Sequence, residues 1–465
     1  MRSRAPFAVA FVLLTPAVAA AAEASMGAAL PVYTIVPFGL MLLAIALLPL
    51  SVPEWWDHNR NKGVVAALCA GPVALYLLGA WGQEGAFELL HTARDYCSFL
   101  VLLGSLFVIT SGIYIEGSLS GTPLMNTALL AIGAVLASVI GTTGASVLLI
   151  RPLLRANESR QNRVHLVVFF IFIVSNCGGL LTPLGDPPLF LGFLNGVPFG
   201  WTLRLWPEWL LVNGILLVVA NVWDQAVLDR EERERPGSQL EELMEHKPLR
   251  IRGGLNFVFL AAIVGIVYAA GSGLGTGGHS WPFGFQEGLM AAAAVGSWVT
   301  TPAAYHHHNR FSFGPIIEVA VLFAGIFVTM GPALLILNAR GAELGLREPW
   351  QFFWASGTLS SFLDNAPTYL TFGATAAGMK GVVAEGRYLA QFLHLGSIAE
   401  ELLRAISVGS VCMGANSYIG NGPNFMVKAI AEHHGVRMPS FFGYMGYSVG
   451  ILIPIFILVT AIFFR

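Results

Sequence analysis

The sequence predicts an all-α polytopic membrane protein made of two inverted repeats, each holding a re-entrant hairpin and a broken transmembrane helix. Composition is the first observation behind this: 55% of 465 residues are hydrophobic and 11% charged, with a mean hydropathy of +0.68, values that belong to chains with many apolar spans. The second is a motif that occurs twice. Ser175 to Phe190 reads Ser-Asn-Cys-Gly-Gly-Leu-Leu-Thr-Pro-Leu-Gly-Asp-Pro-Pro-Leu-Phe, and Ser410 to Phe425 reads Ser-Val-Cys-Met-Gly-Ala-Asn-Ser-Tyr-Ile-Gly-Asn-Gly-Pro-Asn-Phe. Without a gap, Ser175, Cys177, Gly179, Gly185, Pro188 and Phe190 fall on Ser410, Cys412, Gly414, Gly420, Pro423 and Phe425, and Asp186 falls on Asn421. Neither copy suits an ordinary span. Glycine and proline at Gly185, Pro187, Pro188, Gly420, Gly422 and Pro423 must interrupt the backbone ladder, and freed groups at membrane depth need protein or water around them.

In chain order, Arg2 and Arg4 precede an apolar run from Ala5 to Val18 and alanines through Ala22, the form of a signal peptide over 1–22. The mature chain then starts outside. Retention of the segment as an anchor leaves the rest of the topology unchanged. Apolar stretches of about 17 residues or more, long enough to span, occur near 34–50, 63–81, 97–116, 164–194, 209–227, 255–271, 287–304, 314–337, 405–426 and 441–463. Two further stretches, 124–154 and 350–377, have polar, helix-breaking tips at Gly141 to Ser146 and Asp364 to Thr368. Counting crossings from outside, 124–154 begins and ends in the cytoplasm and 350–377 begins and ends outside, so both are hairpins, of opposite orientation.

The positive-inside rule agrees: Arg151, Arg155, Arg160 and Arg163, and the basic residues of Asp229 to Arg252, all fall on the cytoplasmic side. The first repeat therefore runs over 34–227, a cytoplasmic linker over 228–254 and the second repeat over 255–465. Gly104 aligns with Gly325 and Ala145 with Ala366 at one shared offset, and an odd number of crossings between copies makes the repeats inverted. Paired broken helices in corresponding halves point to the binding site of a secondary transporter.

Ionisable groups inside spans cost on the order of 3 kcal/mol by insertion scales, yet Asp186 and Asp364 both stand at breaks. Around them the chain supplies Asn176, Thr182, Asn365, Thr368, Asn416, Ser417, Asn421 and Asn424, and the first hairpin tip adds Thr142, Thr143, Gly144 and Ser146. Such an oxygen-rich cage with fixed negative charge suits Na⁺ or Li⁺. A buried carboxylate also takes up a proton more readily, so H⁺ and Na⁺ competing for Asp186 and Asp364 would give exchange without further machinery. A purely structural role, helix capping by either aspartate, is compatible with titration, and Asn421 and Asn424 also suit the turns of a break.

The remaining features ask for less. His306, His307 and His308 fall in a predicted cytoplasmic loop and read as solvated. Glu116 and Glu318 lie near span ends. Glu400 and Arg404 form an i,i+4 pair, with Glu401 a candidate for a proton path. Cys69, Cys97, Cys177 and Cys412 read as packed thiols, lacking metal-site spacing. No cofactor is expected, and a net charge of -2 without a basic stripe gives no reason to expect nucleic acid; the lipid bilayer is the implied environment.

The two hairpins, the run Asp364-Asn-Ala-Pro-Thr368 and the two broken helices resemble the ion-transporter superfamily, above all its NhaD-type sodium/proton antiporters and a neighbouring group of citrate transporters. The resemblance covers nearly all of the mature chain. It implies a scaffold domain through which two copies often pair as a homodimer, and a transport domain that moves like an elevator. It further implies that Asp364, Asn365 and Thr368 with Asp186 and Asn176 hold the cation, in a multi-pass protein of the bacterial inner membrane with its mature N-terminus outside. Dicarboxylate carriers of the superfamily have Ser-Asn-Thr at both tips, and this chain does not.

The reading taken is exchange of Na⁺ or Li⁺ for H⁺ by alternating access at a two-aspartate site. The alternative is uptake of citrate or another carboxylate coupled to Na⁺ or H⁺; no Lys or Arg lies at either break to favour an anion. An intramembrane aspartyl protease also needs two membrane aspartates, but its chemistry gives no reason for inverted repeats. Opposed hairpins likewise argue for alternating access rather than for a channel.

Overall fold

Long apolar runs leave an α-helix as the way to satisfy nearly every backbone group locally, and the computed structural model is helical almost throughout. It describes residues 26–116, 120–234, 250–276, 281–309 and 311–465; the expected signal segment and residues 235–249 of the linker lie outside them. The longer helices are α1 (Val36–Ser51), α2 (59–81) and α3 (83–111), which Gly82 separates within Asn59–Ser111, α4 (Pro123–Ile140), α5 (Thr142–Ala156), α6 (Val164–Ile173), α7 (Pro187–Leu194) and α8 (Trp206–Glu234). The second half holds α9 (Leu255–Ser272), α10 (Phe285–Thr300), α11 (Gly314–Arg340), α12 (Pro349–Phe362), α13 (Asn365–Met379), α14 (Ser397–Met413), α15 (Gly422–His433) and α16 (Phe441–Phe463). Among the described residues, 8 helical stretches are long and apolar enough to cross a membrane.

Gly82 shows how one glycine sets topology. Its φ of +52° is a left-handed conformation that other residues adopt only at a cost, and beyond it the chain doubles back so closely that a Cβ on Gly85 would stand 2.1 Å from the Leu77 carbonyl oxygen. The turn separates the expected spans 63–81 and 97–116. The intervening residues 83–96 continue α3, so that helix starts well before the expected span at 97.

Side-chain contacts sort the chain into two ends. At one, the strands β1 (Tyr114–Glu116) and β2 (Arg250–Arg252) pair antiparallel. There Arg155 Nη2 donates to Ile115 O at 2.9 Å, Asn309 Nδ2 to Ile113 O at 2.7 Å, and Lys62 pairs with Glu318 at 2.7 Å. At the other end Ser98 Oγ donates to Glu287 at 2.5 Å, Arg404 pairs with Glu208 at 2.5 Å, Arg204 with Glu400 at 2.8 Å, and Asn338 Nδ2 donates to Val382 O at 2.9 Å. In each case both partners come from segments that the crossing count puts on one side.

Three expectations need correction. Glu400 and Arg404 do not pair with each other, because Arg204 in the turn before α8 takes Glu400 and Glu208 in the first turn of α8 takes Arg404. His306 is not solvated: it is buried, its ring stacks on Trp298 with centroids 4.4 Å apart, and its Nδ1 lies 2.9 Å from Ser111 Oγ. Cys97 is exposed rather than packed, although all four cysteines are free as expected.

Of the membrane-crossing stretches, the one that leads into the first break sits deepest. Every residue of α6 after Val164 is buried, which explains why the helix is apolar nearly all round rather than on one stripe. α4 and α5 fold back on each other about Gly141, whose φ is +81°, and their far ends meet where Asn126 and Asn157 exchange amide hydrogen bonds of 2.9 and 2.8 Å. α12 and α13 do the same about Leu363 and Asp364, bringing Phe352 edge-on to Phe372 at 6.4 Å.

Candidate functional site

The two copies of the motif break in the same way. After α6 the chain makes a 3₁₀ turn (Cys177–Leu181) and a short loop before α7; after α14 it makes a 3₁₀ turn (Gly414–Asn416) and a short loop before α15. Thr182 has φ, ψ of -138°, 158° and its counterpart Ser417 -139°, 169°. Asp186 has -147°, 144° and Asn421 -154°, 139°.

The shared glycines explain themselves sterically. A Cβ on Gly185 would lie 2.1 Å from Gly179 O, and one on Gly420 would lie 2.5 Å from Gly414 O, so each break is a loop closed on its own backbone. Thr182 Oγ1 donates to Ser138 O, and Ser417 Oγ to Ser361 O at 2.5 Å, tying each loop to the last turn before a hairpin tip. Each hydroxyl then accepts a backbone N–H, Leu184 N at 3.1 Å and Ile419 N at 3.2 Å. Ser138 and Ser361 thus correspond, and so do Thr142 and Asn365, each the first residue of the helix after its tip. The pairing of Ala145 with Ala366 read from the sequence is two residues out of this register.

Both tips and both breaks converge on one carboxylate. Asp186 Oδ1 accepts from Thr142 Oγ1 at 2.9 Å and from Asn421 Nδ2 at 3.2 Å, and Oδ2 accepts from Asn365 Nδ2. Thr142 N also donates to Gly185 O at 2.8 Å. Asp186 occupies the N-cap position of α7 but caps nothing, its oxygens being turned to these three donors instead. The side chain is 2% exposed. Asp364 takes the opposite course: it is half-buried, and its Oδ1 accepts from Ala366 N at 3.1 Å as the cap of α13. Thr368 Oγ1 bonds back to Asp364 O at 2.9 Å.

The asparagines form a second layer. Asn421 Nδ2 also reaches Ser175 O at 3.1 Å and Asn176 Oδ1 at 3.2 Å, while Asn176 Nδ2 donates to Asn424 Oδ1 at 2.7 Å, so the two breaks are tied across the middle of the molecule. Asn416 Nδ2 donates to Ser361 Oγ at 2.8 Å, and Ser146 Oγ lies 2.8 Å from Ser175 Oγ. Gly144 lets α5 approach Thr110, whose Cγ2 would be 3.0 Å from a Cβ there. Thr143, half-buried, points to none of these groups but lines the adjoining cavity. Ser138 and Ser361, which anchor the loops, escaped sequence reasoning; their one signal is that each sits four residues before the first residue after its tip.

That cavity, of about 70 Å³, lies between the first tip with Asp186 on one side and an apolar wall of Phe99, Leu102 and Leu106 on α3 with Ile316 and Val319 on α11 on the other. Its lining contains no Lys, Arg or His. Asn365 Oδ1, buried beside Asp186, has no hydrogen-bond partner among the described residues, which leaves an oxygen next to the carboxylate with nothing to accept. Such a set of carboxylate, hydroxyl and amide oxygens can hold a proton or a small cation.

No curated protein matches the chain. A family model described as putative citrate transport matches residues 27–464. With nearly the whole of the described chain covered, the protein belongs to this transporter family.

Proposed function

We propose that the protein is a secondary transporter that exchanges Na⁺ or Li⁺ for H⁺ across the bacterial inner membrane by alternating access, with Asp186 as the group that binds proton and cation in turn. The observation that carries this is the convergence of Thr142, Asn365 and Asn421 on the buried Asp186 carboxylate beside a cavity without any cationic side chain. A water needs about 10–15 Å³ of such space, so a cavity of about 70 Å³ has room for a small ion that keeps part of its hydration. A cation at Asp186 would gain the carboxylate and the free Asn365 Oδ1. A proton would neutralise the same carboxylate, and the two therefore compete.

In this reading α4–α5 and α12–α13 are re-entrant hairpins entering from opposite faces, and the matched geometry of the two breaks is that of inverted repeats. Asp364 completes the site from the second tip: its cap orients Asn365, and its carboxylate lies one residue from the amide that holds Asp186 Oδ2. The hairpins and broken helices would move as the transport domain against a scaffold that includes α3 and α11, which could pair with that of a second copy.

A second reading, uptake of citrate or another carboxylate coupled to one of these cations, is favoured by the description of the family. The bound cation would then neutralise Asp186 before the anion arrives. Everted vesicles from a host without its own sodium/proton antiporters separate the two. With the interior acidified and a pH dye present, NaCl or LiCl should collapse the gradient in wild type and not in Asp186→Asn or Asp364→Asn; a response to citrate alone would assign the site to an anion carrier. Membership of a transporter family gives no support to the protease alternative.

A further inference from the structure

The seam between α3 and α11 holds a second cavity, of about 50 Å³, at the end that the crossing count makes external. Glu88, His91 and Asp95 follow at helical spacing on one face of α3, and Glu385 comes across to them from the segment after α13. Three carboxylates thus stand against one imidazole, whose Nδ1 is 3.7 Å from Asp95 Oδ2, and no Lys or Arg lines the space. The Glu88 carboxylate is drawn in against α11 at Gly331, where a Cβ would lie 3.2 Å from Glu88 Oε1.

A separate observation points to an occupant. Tyr388 lines the same cavity, is 3% exposed, and its hydroxyl has no hydrogen-bond partner among the described residues. Asp95 lines the cavity with it. A buried hydroxyl without a partner is destabilising, and an ion or its water in the cavity would supply one. Among the described residues no group of three His, Cys, Asp or Glu is placed to hold a metal directly, so an ion here keeps much of its hydration.

An aromatic layer closes this cavity from the one beside Asp186. Phe99 on α3 and Phe323 on α11 stack at 4.9 Å, Phe327 lies 5.7 Å from Phe99, and Tyr96 meets Phe327 edge-on at 5.8 Å. Phe327 lines the outer cavity and Phe99 the inner one.

We propose that the outer cavity is a vestibule that captures a hydrated Na⁺ or Li⁺ on the external side, held by Glu88, Asp95, Glu385 and Tyr388, before the ion reaches Asp186. The identity of the ion rests on the exchange reading above. A one-signed cleft raises the local concentration of its counter-ion about tenfold or more. The vestibule would therefore set the apparent affinity for external cation and leave the turnover of the loaded site alone.

Equilibrium binding of ²²Na⁺ to the purified full-length protein tests this without requiring transport. Asp186→Asn should retain a component of binding that the combined variant Glu88→Gln, Asp95→Asn, Glu385→Gln lacks, and Glu385→Gln and Tyr388→Phe singly, which leave the helices untouched, should weaken it several-fold. In proteoliposomes the combined variant should raise the KM for external Na⁺ about tenfold with kcat and the internal KM unchanged. The proposal is overturned if the combined variant binds as much ²²Na⁺ as wild type, or if Asp186→Asn binds none. Equal binding by wild type and Asp186→Asn would instead remove Asp186 as the cation site while leaving the vestibule in place.

Discussion

Adding a single methyl group at Gly185 should disable the site more thoroughly than the size of the change suggests. The new Cβ would lie 2.1 Å from Gly179 O and 2.8 Å from its carbonyl carbon, against an ordinary contact of about 3.5 Å, so the loop must open by more than 1 Å, roughly the shortfall. Both atoms are backbone, and no side chain can rotate away. Overpacking of this kind costs about 1–3 kcal/mol, and the movement is applied to the residue that precedes Asp186 and whose carbonyl accepts from Thr142 N at 2.8 Å. Gly420→Ala repeats the experiment in the other half, with a Cβ 2.5 Å from Gly414 O and 2.6 Å from Ser360 O. Gly422→Ala is the control, since it too belongs to a helix break but nothing lies within 4 Å of its Cβ. Thermal unfolding of the purified protein in detergent should give midpoints about 1–3 °C below wild type for Gly185→Ala and Gly420→Ala, both losing exchange, and an unchanged midpoint for Gly422→Ala. A Gly185→Ala protein as stable and active as wild type would refute the closed-loop argument, as would equal damage at Gly422.

Thr142→Val should weaken apparent cation affinity about tenfold or more, the worth of a hydrogen bond to a charged group, whereas Thr143→Val, whose side chain does not reach Asp186, should stay near wild type in a concentration series with the pH dye. Asp224 accepts from Arg160 at 2.5 Å, His165 at 2.8 Å and Asn126 at 2.8 Å; Asp224→Ala leaves the buried Arg160 with less to balance it and should cost about 3–5 kcal/mol, seen as a fall in folded yield and unfolding midpoint. Burial pushes His306 below the usual imidazole range. Its folded value is the depressed one, so its contribution is present above the unfolded pKa of about 6.5 and is lost as pH falls toward the folded value. Unfolding midpoints measured from pH 8 to 5 should decline in wild type and decline less in His306→Gln.

The sequence made the large features legible because each has a local cause. Hydropathy marks the spans, Gly141 and the Asp364 run mark the tips, and the repeated motif marks the breaks; Gly185 and Gly420 are shared because both loops close on their own backbone. What stayed hidden depends on partners distant in the chain. Nothing in the residues near Asp364 says that it caps its own helix while Asn365, next to it, crosses 179 positions to Asp186. Nor does the Glu400–Arg404 spacing disclose that Arg204 and Glu208 lie across the turn. Hairpin register failed for a related reason: small residues such as Ala145 and Ala366 recur often enough to align two positions away from the true pairing of Thr142 with Asn365. The early start of α3 was not legible because charge marks where a chain meets water and not where a helix begins.

The most direct test of the central claim is a paired flux measurement in proteoliposomes containing this protein alone, with ²²Na⁺ and ¹⁴C-citrate presented separately under an imposed pH gradient, for wild type and Asp186→Asn. Exchange at Asp186 predicts ²²Na⁺ movement against the proton gradient in wild type, none in Asp186→Asn, and no citrate flux in either. Citrate accumulation by wild type, with ²²Na⁺ moving only when citrate is present, would contradict it.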